Sequence, residues 1–456
     1  MNSFSTVNPS TEEEIASYQY QSDNELSEHI KKTQAAFLEW RQTTLYHRKS
    51  KMLVLAELLK NEKESLGHLI TTEMGKPLNQ SIAEIEKCAW VCEYFAEKAA
   101  HFLTPQNIKT DASESYISYQ PTGIIFAIMP WNFPFWQVFR FLSPNLMAGN
   151  AGILKHAPNT TACGLKIQEL VESAGFPLNL FNTIIIDIPQ VENVISNRYI
   201  SGVTLTGSTN AGKLVAEIAG KHLKKSVLEL GGSDPYIILD DADIDLAVKA
   251  CVAGRVLNSG QSCIAAKRFI VTKKNVKEFT EILTQHLKTK QFGDPLKNPD
   301  LGSLARKDLR ETVHSQVKKS VDMGATCVLG GYVPEGKGFF YPMTLLTNVS
   351  PGMPAFEEEI FGPVAVVIEA KSEEEAIELA NQTDYGLGGV VFSRDIKKAR
   401  YIAETRLEVG SAFVNAFVKS DPRLPFGGIK KSGYGRELAQ QGFYEFLNIK
   451  TIYIDK

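Results

Sequence analysis

The sequence predicts an α/β protein with a doubly wound parallel sheet followed by a second α/β unit. Three observations lead there. From Gly123 onward, continuous apolar runs alternate with helical stretches, as strands covered on both faces by crossover helices require. The same texture resumes after Cys263. The chain has 456 residues, 43% hydrophobic and 22% charged, which suits a folded protein of two or three domains at roughly 100–200 residues each.

From Asn24 to about Leu103 the pattern is helical: Leu26, Ile30, Phe37 and Trp40 share an apolar face, and Met74-Gly75-Lys76-Pro77 is a helix stop. Residues 115–120 form a short strand. The parallel-sheet strands are 123–129, 151–154, 181–186, 203–206, 227–230 and 236–239, with helices over 160–174, 209–220 and 243–258 between them. The second unit supplies strands 269–271, 326–329 and 364–368 and a helix over 373–381. The tail, 449–454, is an exposed strand open to another subunit.

The 49 Lys+Arg and 52 Asp+Glu give a formal net charge of −3, too balanced for a nucleic-acid or anionic-membrane partner. Residues 115–139 lack charge, but Pro121, Pro130, Pro134, Asn132 and Gln137 argue against a lipid-spanning helix. The first residues are polar and acidic, unlike a secretory signal. The 6 cysteines lack zinc or CxxC spacing and the chain is long for a disulfide scaffold, so a reducing compartment, the cytoplasm, is expected. Eight dispersed histidines offer no ligand grouping, and no metal site is expected. Cys88 and Cys92 share a helical face and read as core residues.

Four segments carry candidate chemistry. Gly260-Gln261-Ser262-Cys263 places a thiol among small residues at an element junction, where a nearby cation can favour the nucleophilic thiolate. Alone, a buried hydrophobic cysteine is the simpler reading. Glu229-Leu230-Gly231-Gly232 ends a predicted central strand, where active residues of doubly wound sheets gather; a strand-end acid in a Gly turn competes. In Pro130-Trp131-Asn132-Phe133-Pro134, two prolines stiffen a loop around an amide able to donate to an oxyanion, unless the loop only packs on the core. Gly207-Ser208-Thr209 opens a helix after a strand and suits a pyrophosphate; ordinary N-capping by Ser208 or Thr209 is the competing reading.

In this order, these segments resemble the aldehyde dehydrogenase superfamily. Gly149-Asn150 with Lys155, Glu359-Ile360-Phe361-Gly362-Pro363, Pro425-Phe426-Gly427-Gly428 and Ser432-Gly433-Tyr434-Gly435-Arg436-Glu437 extend the match over essentially the whole chain. The resemblance implies an aldehyde dehydrogenase-like fold of two doubly wound domains plus a small β oligomerisation element. The expected divisions are 1–111 with 123–228 for coenzyme, 229–438 for catalysis, and 112–122 with 439–456 for assembly as a homodimer or homotetramer. It implies that Cys263 attacks the aldehyde, that Asn132 and the Cys263 N–H hold the oxyanion, and that Glu229 is the base for thioester hydrolysis. CoA-acylating relatives generally lack that base. The implied coenzyme residues are Trp131, Lys155, Gly207, Ser208, Glu359 and Phe361. Many NAD-preferring relatives have Glu three residues after the lysine; here Pro158 stands there, so NADP is expected, with NAD as well.

Arg140, eight residues after Asn132, resembles the carboxylate-binding arginine of bacterial succinate-semialdehyde dehydrogenases, and Ser420 is expected to add a hydroxyl. A solvated helix cation is the competing reading for Arg140. Arg255 reads as a helix-surface residue, with Arg423 a further candidate charge. Ala265 replaces the second cysteine of a redox pair found in some animal members, so no such switch is expected. Alternatives are another aldehyde (glutarate semialdehyde or an uncharged aliphatic one), a crystallin-like structural protein on this fold, and a cysteine hydrolase lacking a visible His partner.

Overall fold

The computed structural model describes residues 3–455; Met1, Asn2 and Lys456, the outermost residues of the expected coenzyme and assembly segments, lie outside the described residues. The helical block consists of Asp23–Trp40, Leu45–Asn61, Lys63–Met74 and Leu78–Phe102. Its stop falls at Gly75, which ends Lys63–Met74 at φ 81°, where a side chain would be strained. Trp40, Ile70, Cys88 and Cys92 are fully buried in the core beneath this block.

The first sheet has six strands in the order Gly433–Tyr434, Lys225–Glu229, Ile200–Thr206, Ile124–Met129, Ala151–His156, Phe181–Thr183. All pair in parallel except Gly433–Tyr434, which returns from near the end of the chain to run antiparallel beside Glu229. Glu229 therefore ends a strand next to the edge, not a central one. The chain order reverses on either side of Ile124–Met129, which makes the carboxyl ends of that strand and of Ile200–Thr206 the lips of a switch-point crevice.

The second sheet has seven strands: Thr326–Leu329, Thr344–Thr347, Val364–Ala370, Arg268–Thr272, Pro235–Ile238, Gly388–Phe392 and Ser411–Val414. Only Thr326–Leu329 is antiparallel. The strand expected at 236–239 thus belongs here, ahead of Cys263, because the Gly231-Gly232 turn carries the chain out of the first sheet. Expected strand 181–186 stops at Thr183.

The tail strand Leu447–Ile454 is not left to another subunit alone: it pairs along its whole length with Glu114–Pro121 in the same chain, next to the short strand Gln106–Asn107. A hairpin, Ser3–Val7 with Glu14–Gln19, and the helices Val276–Lys288, Lys307–Asp322 and Ile396–Thr405 lie where the sequence pattern had not been resolved. Among the described residues, no helix is long and apolar enough to cross a membrane.

Candidate active site

A cavity of about 350 Å³ opens at the switch point, walled by Trp131, Asn132, Gly207, Ser208, Glu359 and Phe361 and reaching Cys263. Two features of the chain keep it open. Gly207 ends the turn after Ile200–Thr206, its N–H bonded to the Glu229 carbonyl at 3.0 Å. A Cβ on Gly231 would stand 2.5 Å from Glu359 Oε2. Ser208 does cap the helix Thr209–Lys221, accepting the Ala211 N–H at 3.3 Å, and also lines the cavity. Glu359 accepts the Gly232 N–H at 3.0 Å, and Phe361 meets the Trp131 ring edge-on. A dinucleotide fits such a crevice, with its pyrophosphate at the helix start and a carboxylate held for a ribose.

Lys155 is not in this cavity. It lines a small neighbouring cleft with Phe4, Tyr20, Pro158 and Ile184–Ile186, and that lining contains no acidic side chain.

The thiol is presented by a strained turn. Asn258, Ser259 and Gly260 take φ of 54°, 53° and 75° in succession, a conformation that costs energy at the two non-glycine positions. Side chains hold it in place. Asn258 Nδ2 donates to the carbonyls of Asn132 (2.7 Å) and Gln261 (3.0 Å). Ser259 Oγ donates to the Gly302 carbonyl. Arg255, read from sequence as a helix-surface residue, is fully buried and donates to the carbonyls of Gly260 and Val364. It is a strap beneath the turn, because its helix Ile244–Val256 packs this face inward.

Cys263 itself is partly exposed, and desolvation around the sulfur pushes its thiol up to about 12, against the pull of Arg140 and Lys267. Lys267 Nζ donates to the carbonyls of Ser262 (2.9 Å) and Cys263 (2.6 Å) and pairs with Glu359 at 3.4 Å. Asn132 Nδ2 spends one hydrogen on the Gln261 carbonyl at 3.1 Å, leaving the other for a ligand. The Cys263 N–H makes no hydrogen bond among the described residues.

Glu229 is buried, and neither carboxyl oxygen has a hydrogen-bond partner among the described residues. Burial first, then repulsion from Glu437, holds its carboxyl well above the usual range. Gly427 makes the space for it: a Cβ there would lie 2.7 Å from Glu229 Oε1. Ser432 Oγ donates to the Gly231 carbonyl at 2.6 Å and ties the Gly turn to the C-terminal motif.

A second cavity of about 170 Å³ lies on the far side of Cys263, lined by Lys87, Trp136, Gln137, Arg140, Ser420 and Phe426 among others. Arg140 is buried, not solvated. It pairs through Nε with Glu437 at 2.7 Å and lies over the Phe426 ring at 4.6 Å. Ser420 lines this cavity, whereas Arg423 is exposed and paired with Asp421. One sulfur thus stands on the wall between a crevice shaped for a dinucleotide and a smaller, cation-bearing pocket.

A family model described as "Aldehyde dehydrogenase family" matches residues 1–452. The chain belongs to the aldehyde dehydrogenase family. This aldehyde dehydrogenase is 44% identical over 450 residues to a probable succinate-semialdehyde dehydrogenase [NADP(+)] of Synechocystis sp., covering 98% of this chain and 99% of that one. It is 43% identical to the succinate semialdehyde dehydrogenase [NAD(P)+] Sad of Escherichia coli, over 99% of this chain and 98% of the other. Among solved structures, it matches a succinic semialdehyde dehydrogenase from Streptococcus pyogenes in complex with NADP+ with a TM-score of 0.97 and 38% identity, covering 99% and 100% of the two chains.

Several residues that shape the site of this aldehyde dehydrogenase escaped the sequence reading. Buried Glu84 pairs with Lys76 and accepts the N–H groups of Phe135 (2.9 Å) and Trp136 (3.0 Å), which fixes the start of Trp136–Ala148, the helix of Arg140. Lys76 Nζ in turn lies 3.9 Å from the Phe133 ring centroid. Lys267 and Lys87 were also missed. Lys76 sat within the recognised helix stop, but nothing local announced its partner. Arg306 and Leu309, which line the larger cavity, carried no signal at all.

Proposed function

We propose that this aldehyde dehydrogenase oxidises succinate semialdehyde to succinate with NADP+, and with NAD+ as well. The observation that carries the reading is the position of Cys263 on the wall shared by the two cavities, with the Asn132 amide beside it and the buried Glu229 carboxyl near Glu437. The names of the curated relatives support the substrate. The absence of an acid in the lining around Lys155 and Pro158 supports acceptance of a 2′-phosphate.

In this mechanism Cys263 Sγ, as thiolate, bonds to the aldehyde carbon. The resulting alkoxide is stabilised by the free hydrogen of Asn132 Nδ2 and the Cys263 N–H. The chemistry the coenzyme supplies when bound is acceptance of hydride, which turns the Cys263 adduct into a thioester. Glu359 and the turn at Gly207 and Ser208 would hold the coenzyme in the larger cavity, with Phe361 and Trp131 on its wall, and Lys155 would hold its adenosine end from the separate cleft. Glu229, once deprotonated, takes a proton from the water that attacks the thioester carbon, and the Cys263–carbon bond breaks to release acid and thiolate. Arg140 and Ser420 face the distal carboxylate in the smaller cavity.

The domain roles follow the same reading. Residues 1–111 with 123–228 bind coenzyme, 229–438 carry catalysis, and 112–122 with 439–456 join subunits of a cytoplasmic homodimer or homotetramer.

The test is formation of reduced nicotinamide, followed by its absorbance, with succinate semialdehyde and butanal and with each coenzyme. A higher kcat/KM for the semialdehyde with NADP+ is expected. No reduction of either coenzyme by any aldehyde would return the chain to a structural role, and a preference for butanal would remove the carboxylate substrate.

Two desolvated acids also set a pH dependence. Cys263 and Glu229 both act deprotonated, and burial holds both protonated. With butanal, which carries no charge of its own, kcat/KM should therefore rise with pH from about 6 to about 9. A flat or falling profile over that interval would contradict the protonation states described.

A further inference from the structure

The smaller cavity is lined by three cations, Lys87, Arg140 and Lys419. Lys419 is exposed to water, and the other two differ in one respect. Arg140 already has its anion, Glu437, at 2.7 Å. Lys87, on the helix Leu78–Phe102, has none among the described residues. Its Nζ donates to Ser420 Oγ at 2.8 Å and lies 4.2 Å from the Trp136 ring centroid, and both partners are neutral, buried side chains. The acids whose fields reach Lys87 are engaged elsewhere: Glu84, on the same helix, with Lys76, and Asp421, beside Ser420, with Arg423. Cys88 is its other titratable neighbour on that helix, and Arg140 faces it from Trp136–Ala148. Charges withdrawn from water are ordinarily paired, so this corner of the cavity is one carboxylate short.

We propose that Lys87 is the specificity-determining residue for the semialdehyde, its ammonium supplying the counter-charge to the substrate's distal carboxylate while Ser420 orients it. The proposal rests on the reading of a carboxylate-bearing aldehyde given above. Arg140, its charge already balanced by Glu437, faces the same carboxylate as a hydrogen-bond donor, and Lys87 supplies the charge that is not yet balanced. Lys87 matches the geometry of the ligand: it lines the same cavity as Cys263, so an aldehyde bonded at the sulfur can extend its far end toward the ammonium. Burial and the nearby Arg140 push Lys87 down to about 8, so its charge is partly lost just above neutrality unless an anion binds.

The test compares kcat/KM for succinate semialdehyde and butanal across pH, as the ratio of the two, in wild type, Lys87→Gln and Lys87→Arg. Both substrates share the chemistry at Cys263 and Glu229, so those titrations cancel in the ratio. Removing a charge-assisted contact should lower the ratio about 10–100-fold in Lys87→Gln. In wild type the ratio should fall as pH rises past about 8. It should stay flat in Lys87→Gln, and Lys87→Arg should retain the preference at high pH because a guanidinium does not titrate there. A merely structural lysine would move both substrates together and leave the wild-type ratio independent of pH, which would overturn the proposal. So would a Lys87→Gln enzyme that keeps its preference, leaving the semialdehyde reading intact. A wild type that does not prefer the semialdehyde to butanal would overturn that reading instead, and this proposal with it.

Discussion

Glu229→Gln is expected to stop after a single turnover, with the acyl group of the substrate left on Cys263. The first half of the reaction needs the thiolate and the oxyanion donors, all of which remain. The second half needs a base for water, and an amide cannot accept that proton. General-base catalysis typically contributes about 10²–10⁴-fold, so steady-state turnover should fall by that factor. One equivalent of reduced nicotinamide should appear in a burst, and mass spectrometry of the stalled enzyme should find the adduct at Cys263. A Cys263→Ala control should show neither burst nor adduct. The fold is expected to tolerate the change, because the Glu229 carboxyl makes no hydrogen bond among the described residues that an amide of the same shape would lose.

Stability should shift in a definite direction. The carboxyl is held above its unfolded value, so folding binds extra protons and stability falls as pH rises from about 4.3 through the raised folded value. Glu229→Gln removes that loss and also the repulsion from Glu437, and its Tm at neutral pH should equal or exceed that of wild type. A stalled enzyme with no modification at Cys263 would overturn the covalent mechanism.

Asn132→Ala carries the second large effect. In the proposed mechanism its Nδ2 is one of two donors to the alkoxide, and losing such a donor in a dry site typically costs about 2.7–4 kcal/mol, a loss of about 10²–10³ in kcat. The structure explains why the loss should be confined to catalysis. The Gln261 carbonyl that receives one Asn132 hydrogen is also served by Asn258 Nδ2 at 3.0 Å, and the bond from Asn258 to the Asn132 backbone carbonyl does not depend on the side chain. The turn before Cys263 therefore keeps its shape. Thermal melting should be nearly unchanged while turnover collapses. Near-normal turnover would show that the alkoxide is held by other groups.

Much of the fold was readable because parallel strands buried on both faces write themselves as uninterrupted apolar runs. Residues 123–129 and 151–154 lie within a residue or two of observed strands for that reason. Residues 236–239 were found as a strand but assigned to the wrong sheet, since periodicity reports burial and not neighbours. The candidate site was readable where glycine and proline mark turns: the amide, the acid and the helix start stand in turns at strand ends, and the thiol follows a glycine turn after a helix. Arg255 was misread because a single arginine near the end of a helix looks solvated until the carbonyls of Gly260 and Val364 close around it.

The chain's local chemistry settled which groups are available: one thiol at a junction, one acid before two glycines, one amide between two prolines. Packing alone settled their charge states and partners. Glu437 meets Arg140, Glu84 meets Lys76, and Lys87 is left without an anion among the described residues because segments far apart in the chain converge there. Desolvation and Coulomb energy depend on distances through space and on the water that packing excludes, and neither quantity is written in the order of the residues.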